Sequence, residues 1–236
     1  MIVENEILNA IKFFAVQKEQ NSDDNFENLA NGGRWAMDYT ALRHLQYILT
    51  CRTSCYIKNV LEFGVGVSTE LMYSIAERKG FDITAYEHDS EWADYNKLYD
   101  KEYIANPLYR MCNLDLRIRP LQEITYKGQK TLSYENNCTE LLNEGKKFEL
   151  IVIDAPFGQP NYSRPQILFL LPDIINKDNF IIFMDDTERQ GEKQTISEIC
   201  RILNENGIKY QIESYRGEKE HTIICDTNKK YLLSSL

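Results

Sequence analysis

From residue 56 onward, short apolar runs alternate with stretches whose apolar residues recur at helical spacing. This alternation predicts a mostly parallel sheet with helices on both faces, because parallel neighbours are joined by crossovers that are usually helical. Strands are expected at residues 56–64, 81–89, 114–121, 148–158, 179–186, 209–216 and 220–227. The last two are expected to pair antiparallel. The predicted fold class is therefore α/β, with a doubly wound, mostly parallel seven-stranded sheet, an antiparallel C-terminal hairpin and an N-terminal helical extension.

The N-terminal extension is predicted from helical spacing in residues 2–17 and 37–49, with a polar loop between them. We assign residues 1–55 to this extension and residues 56–236 to a Rossmann-like domain. The polar segment 123–147 fits either a hairpin or a surface insertion that faces the ligand crevice. Between the expected strands, helices are expected at residues 68–80, 91–100, 167–176 and 192–207.

Composition restricts the classes of partner and compartment. A net charge of −9 disfavours nucleic acid, because binding to phosphates requires clustered Lys and Arg. No apolar run approaches the roughly 20 residues that span a bilayer. The first residues lack the basic start of a signal peptide, so a cytoplasmic location is expected. The cysteines and histidines lack the spacing of zinc ligands, and reduced thiols are expected. A homodimer is compatible with this composition.

The segment Glu62-Phe-Gly64-Val-Gly66-Val-Ser68-Thr69 begins at the end of the first expected strand. Glycines at a strand end allow a sharp turn and a close approach of the backbone to a ligand, and Ser68 and Thr69 can cap the following helix. A tight turn without a ligand is the simpler alternative. Thr69 stands where the dinucleotide-binding fingerprint has its third glycine, and the carboxylate of Glu62 would repel a pyrophosphate. It can instead reach the amino group of a methionine moiety.

An acid-x-Gly-x-Gly run at the end of the first strand resembles the first motif of the class I, Rossmann-like S-adenosylmethionine-dependent methyltransferases. The resemblance covers residues 56–225. It implies that Glu62, Gly64, Gly66, Ser68 and Thr69 lie at the site of S-adenosyl-L-methionine.

The second strand end carries the next acid of this resemblance. The resemblance implies that the carboxylate of Glu87 accepts hydrogen bonds from the ribose diol and that His88 lies beside the adenosine. The alternative for Glu87 is an exposed acid at a strand end. Trp92 lies either against the adenine or in the anchor of its helix.

Acidic residues also follow two apolar strands farther along the chain. Asp154 follows Ile151–Ile153, and Asp185 and Asp186 follow Phe180–Met184. Strand ends of a parallel sheet meet at one edge, so these carboxylates are expected to face the crevice together.

Three uses of these acids remain open. The acids are similar to those that hold Mg²⁺ in catechol-type O-methyltransferases, which predicts a metal site at Asp154, Asp185 and Asp186. Alternatively, Asp154 or Asp186 is a general base that takes the acceptor proton. The third use is that Asp185 and Asp186 cap the next helix.

The sequence thus predicts an O-methyltransferase that acts on a hydroxyl, or less favourably an amine, of a small molecule or sugar. Its catalytic residues would be Asp154 and Asp186, and Asp154 would also lie against the cofactor. Arg164 and Arg189 follow these strand ends and either bind an anionic acceptor or pair with the acids. The alternatives are a non-catalytic nucleotide-binding or scaffold protein on the same fold, and an NAD-dependent oxidoreductase.

Overall fold

A computed structural model describes residues 37–51, 56–95 and 114–234. The strands are β1 (Asn59–Phe63), β2 (Asp82–Glu87), β3 (Leu114–Ile118), β4 (Leu121–Tyr126), β5 (Gln129–Tyr134), β6 (Leu150–Ile153), β7 (Ile181–Met184), β8 (Tyr210–Arg216) and β9 (Glu220–Asp226). The helices are α1 (Tyr39–Thr50), α2 (Val67–Lys79), α3 (Ser90–Tyr95), α4 (Glu140–Glu144) and α5 (Gln190–Glu205). Short 3₁₀ helices cover Glu135–Cys138, Pro165–Phe169 and Thr227–Leu233.

The central sheet has seven strands in the order β3-β2-β1-β6-β7-β9-β8. Strands β3, β2, β1, β6 and β7 are parallel, whereas β9 is antiparallel to both of its neighbours. The predicted α/β fold class is confirmed. A dinucleotide-binding sheet of the common parallel type has six strands in the order 3-2-1-4-5-6. The antiparallel β9, inserted between β7 and β8, departs from that arrangement.

The antiparallel pairing determines where the β8–β9 turn lies. Met184, the last residue of β7, is opposite Thr222 of β9. The turn before β9 therefore lies beside the residues that follow β7, at the carboxyl edge of the parallel strands.

Two apolar cores cover the two faces of the sheet. One contains the buried faces of α1 and α2, with Leu45, Leu71 and Met72 against Val60 and Val152. The other packs Phe63, Ile151 and Ile182 against α5 and the segment after β6. Helix α1 begins after Asp38, whose carboxylate accepts the N–H of Ala41 at 2.8 Å. This N-cap fixes the start of the only part of the expected extension that the structure describes.

The polar segment 123–147 contains a hairpin, one of its two predicted readings. Strands β4 and β5 pair antiparallel in a separate two-stranded sheet. Their two-residue turn, Lys127-Gly128, has φ values of +47° and +78°. Positive φ at both positions is the geometry of the tight hairpin turn that matches strand twist.

The predicted α-helix at residues 167–176 is wrong. The chain forms a 3₁₀ helix over Pro165–Phe169 and turns after it. Pro172 has no backbone N–H and disfavours a helical conformation at Leu171, so an α-helix cannot run through this segment.

Some predictions fall on residues outside the described ranges. These are the helix at residues 2–17, the loop after it and the second half of the helix expected at residues 91–100. The division at residue 55 stays a prediction. Among the described residues, no helix is long and apolar enough to cross a membrane. Four cysteines are described, and all four are free thiols: Cys51, Cys138, Cys200 and Cys225.

Candidate functional site

The carboxylate of Glu62 is fully buried beneath the first turn of α2. It accepts hydrogen bonds from the hydroxyls of Ser68 at 2.6 Å and Thr69 at 2.7 Å. The Oγ1 atom of Thr69 also accepts the N–H of Gly66 at 2.9 Å. These bonds join the end of β1 to the start of α2, so the side chains of Glu62, Ser68 and Thr69 fix the glycine turn from inside the protein.

The two glycines of this turn have different roles. Gly64 has φ +94°, and a Cβ atom there would lie 2.6 Å from the Cβ of Ala155. The close backbone approach expected at Gly64 is therefore to the residues after β6. Gly66 has φ 174°, and a Cβ atom there would have nothing within 4 Å. The open space at this turn is on the side of Gly66.

Glu87 ends β2 beside the same turn. Its Oε1 atom accepts the N–H groups of His88 at 2.7 Å and Asp89 at 2.9 Å, and its Oε2 atom accepts that of Val65 at 3.1 Å. A carboxylate offers about four acceptor sites, so in this conformation about one remains, on Oε2. The sequence had suggested two acceptor sites for a ribose diol.

Aromatic side chains surround the turn. The indole Nε1 of Trp92 donates to the carbonyl oxygen of Val65 at 2.8 Å, so Trp92 links α3 to the glycine turn. The ring of His88 meets that of Phe157 edge-on, with centroids 4.7 Å apart. Phe157 is 49% exposed. The His88–Phe157 contact joins the residues after β2 to those after β6.

Burial raises the pKa of Glu62 to about 8, with the hydrogen bonds from Ser68 and Thr69 opposing it and the charges of Asp154 and Glu87 adding to it. The carboxylates of Glu62, Glu87 and Asp154, which lie at or just beyond the ends of β1, β2 and β6, are thus close enough to influence one another. The structure brings together the acids that the sequence assigned to the cofactor.

The acids after β6 and β7 form a second cluster. Oxygen atoms of Asp154, Asp185 and Asp186 all lie within 4.8 Å of one another. Asp185 and Asp186 do not cap α5, because the N-cap position of that helix is Arg189 and no side chain caps it.

Arg164 lies at the centre of this cluster, with 2% of its side chain exposed. Its Nη2 atom is 2.6 Å from Oδ2 of Asp186 and 3.4 Å from Oδ1 of Asp154. Its Nη1 atom donates to the backbone carbonyls of Ile153 and Asp185. Arg164 therefore pairs with the acids and ties β6 to β7, which was one of its two predicted roles.

Lys219, in the β8–β9 turn, is a member of the cluster that sequence reasoning missed. Its Nζ atom is 3.2 Å from Oδ1 of Asp186 and 3.7 Å from Oδ2 of Asp185. Arg189 adds a third cation, with Nη1 3.0 Å from Oδ2 of Asp186. Lys219 reaches this edge through the antiparallel pairing of β9 with β7, which the strand pattern of the sequence does not reveal.

The three acids differ in their acidity. Burial raises the pKa of Asp154 to about 6, although Arg164 opposes the rise. Burial and the two neighbouring acids raise the pKa of Asp185 well above its ordinary value. Burial would also raise the pKa of Asp186, but Arg164, Lys219 and Arg189 outweigh it and lower that pKa. Asp154 thus combines a raised pKa of about 6 with a side chain that is 14% exposed, whereas the side chain of Asp185 is completely buried.

The residues of this cluster do not fit Mg²⁺. A magnesium ion needs carboxylate oxygens at about 2.0–2.1 Å, in nearly octahedral geometry. Here Asp186 already contacts three cationic side chains, those of Arg164, Arg189 and Lys219. The ammonium of Lys219 also faces Asp185. A divalent cation would have to displace Lys219 to reach these oxygens.

Comparisons with known proteins agree with this fold. No family model and no curated protein matches the sequence. The structure of a Staphylococcus aureus protein assigned provisionally as a caffeoyl-CoA O-methyltransferase matches with a TM-score of 0.52 and 16% identity, over 93% of this chain and 99% of that one. The S-adenosylhomocysteine-bound Podospora anserina methyltransferase PaMTH1 matches with a TM-score of 0.56 and 13% identity, over 92% and 87%. The chain has the Rossmann-like fold of class I S-adenosylmethionine-dependent methyltransferases.

Proposed function

We propose that the protein transfers a methyl group from S-adenosylmethionine to a hydroxyl of a small molecule or sugar. The observation that carries the proposal is that Gly66, Glu87 and Asp154 lie at one edge of a sheet whose fold is shared with methyltransferase structures. Ligands of doubly wound sheets bind at this edge, beyond the carboxyl ends of the strands.

The residues at the glycine turn fit the donor. Nothing lies within 4 Å of a Cβ atom at Gly66, and the Oε2 atom of Glu87 has an acceptor site for a ribose hydroxyl. Glu62, Ser68 and Thr69 hold the turn in place from behind. His88 lies beside Glu87, with its Nδ1 atom 2.7 Å from Oε1, and we assign it to the part of the donor site that holds the adenosine.

When bound, S-adenosylmethionine supplies an electrophilic methyl group on a sulfonium, and the protein's main task is alignment. A hydroxyl acceptor must also lose a proton. Asp154 is suited to accept it, because a carboxylate with a pKa of about 6 is ionised at neutral pH and is more basic than an ordinary aspartate. Asp186 is less suited as a base, because Arg164, Arg189 and Lys219 neutralise it. We assign Asp186 a supporting role, in which it holds Arg164 beside Asp154.

No step of this mechanism uses a metal ion. The inserted antiparallel β9 and the buried carboxylate of Glu62 argue against the NAD-dependent alternative. A small-molecule acceptor, a cytoplasmic location and a homodimer remain predictions.

The test is to incubate the protein with methyl-labelled S-adenosylmethionine and a deproteinised metabolite extract. We expect label in small molecules, in an alkali-stable form typical of methyl ethers, and strongly reduced label with Asp154→Asn. The matched control is Asp173→Asn, at an exposed aspartate outside the cluster. When protein and RNA are added, label in those fractions instead would contradict a small-molecule acceptor. No label in any fraction would favour the non-catalytic alternative.

A further inference from the structure

The turn that carries Lys219 is held rigidly by the start of α1. Oδ2 of Asp38 accepts the backbone N–H of Lys219 at 3.0 Å, while Oδ1 of the same side chain caps α1. At Gly217, a Cβ atom would lie 2.5 Å from Oδ2 of Asp38 and 2.6 Å from Oγ1 of Thr40. The turn therefore packs tightly against α1, and its position directs the side chain of Lys219 to the carboxyl edge of the sheet.

The ammonium of Lys219 and the guanidinium of Arg164 approach Asp186 at different oxygens. Arg164 contacts Oδ2 and is anchored by two backbone carbonyls. Lys219 contacts Oδ1, and it also faces Oδ2 of Asp185. Lys219 thus links the two acids that follow β7, and 17% of its side chain is exposed. This is the place in the cluster where a divalent cation would have to bind.

We propose that Lys219 is a built-in substitute for a divalent cation, which links the carboxylates of Asp185 and Asp186 beside Asp154 and makes the cluster independent of metal. An ammonium of one positive charge near three acids offsets their mutual repulsion, as a metal ion would. Because the ammonium is covalently part of the chain, it excludes Mg²⁺ and Mn²⁺ from the same oxygens. This inference concerns the cluster itself and holds for any methyl acceptor.

The test measures the binding of Mn²⁺ as the loss of the electron paramagnetic resonance signal of the free ion. We expect no binding by the wild-type protein at millimolar Mn²⁺. Lys219→Ala, which leaves the three carboxylates in place, should bind Mn²⁺ at least about tenfold more tightly than the wild type, an effect of at least about 1.4 kcal/mol. Adding Asp185→Asn to Lys219→Ala should remove the acquired binding.

Two control variants separate the ammonium from general charge effects. Lys193→Ala removes an exposed positive charge from α5 and should behave like the wild type. Lys219→Arg keeps the charge and should also exclude Mn²⁺. If Lys219→Ala does not fold alone, Mn²⁺ should restore its thermal unfolding transition. Tight Mn²⁺ binding by the wild type would overturn the proposal. So would a folded Lys219→Ala without binding, or an unfolded one that Mn²⁺ does not rescue.

Discussion

The Nη2 atom of Arg164 lies 2.6 Å from Oδ2 of Asp186, and both side chains are almost completely buried. Arg164 comes from the loop after β6, and Asp186 follows β7. Their pairing therefore joins two neighbouring strand ends at the point where the proposed base, Asp154, is placed. The relative position of these two strand ends therefore depends on a buried ion pair, and loss of either partner should disturb it.

Arg164→Met should destabilise the protein by about 3–5 kcal/mol, because it leaves the buried carboxylate of Asp186 without its closest cation. Urea unfolding measures this change. The matched control is Arg201→Met, which removes a guanidinium that is 42% exposed and paired on the surface of α5. That variant should change the free energy of unfolding by less than about 1 kcal/mol. Equal effects of the two variants would show that burial of Arg164 has no special importance.

The glycine turn offers a matched pair of substitutions. Gly64→Ala should destabilise the protein by at least about 1–3 kcal/mol, because it places a side chain at φ +94° and against Ala155. Gly66→Ala should cost less than about 1 kcal/mol, since its φ is 174° and its Cβ position is open. Instead it should weaken S-adenosylhomocysteine binding. Thermal unfolding and calorimetry separate the two effects, and unchanged binding by Gly66→Ala would contradict the placement of the donor.

A buried histidine pair predicts a dependence of stability on pH. His44 donates from Nε2 to the carbonyl oxygen of Leu232 at 3.0 Å, so its Nδ1 accepts the Nε2–H of His221 at 3.1 Å. Two protonated rings could not share this contact, because each would present an N–H to the other. Burial, and then the charge of His44, lower the pKa of His221 from 6.5 to about 4.

Because the unfolded chain binds this proton more readily, stability is lost as the pH falls from about 6.5 to about 4. The loss due to His221 is expected to be about 3 kcal/mol. Buried acids with raised pKa values, such as Glu62, act in the opposite direction, with stability falling as the pH rises through their window. The measurement is therefore the difference between wild type and His221→Gln in urea unfolding between pH 4 and 7.5. A difference that does not change with pH would refute the neutral pair.

The parallel sheet was predictable because β6 and β7 are continuous apolar runs followed by acids, and β1 is followed by glycines. These patterns can be recognised in the sequence without knowledge of tertiary contacts. The acids Glu62, Glu87 and Asp154 were found for the same reason, since strand ends place them at one edge. The role of Gly64 was not predictable, because its neighbour Ala155 is distant in sequence. Lys219 was missed because its position depends on the pairing of β9 with β7, which a single strand pattern does not reveal.

Calorimetric titration of the purified protein with S-adenosylhomocysteine tests the central claim. The account predicts micromolar binding by the wild type and by Glu213→Gln, an exposed control on β8. Glu87→Gln should bind at least about tenfold more weakly, because one of the two accepting oxygens becomes an NH₂ group, which can accept neither the backbone N–H groups nor the ribose hydroxyl. Binding of NADH in place of S-adenosylhomocysteine, or no binding of S-adenosylhomocysteine at all, would contradict the claim that this edge of the sheet holds a methyl donor.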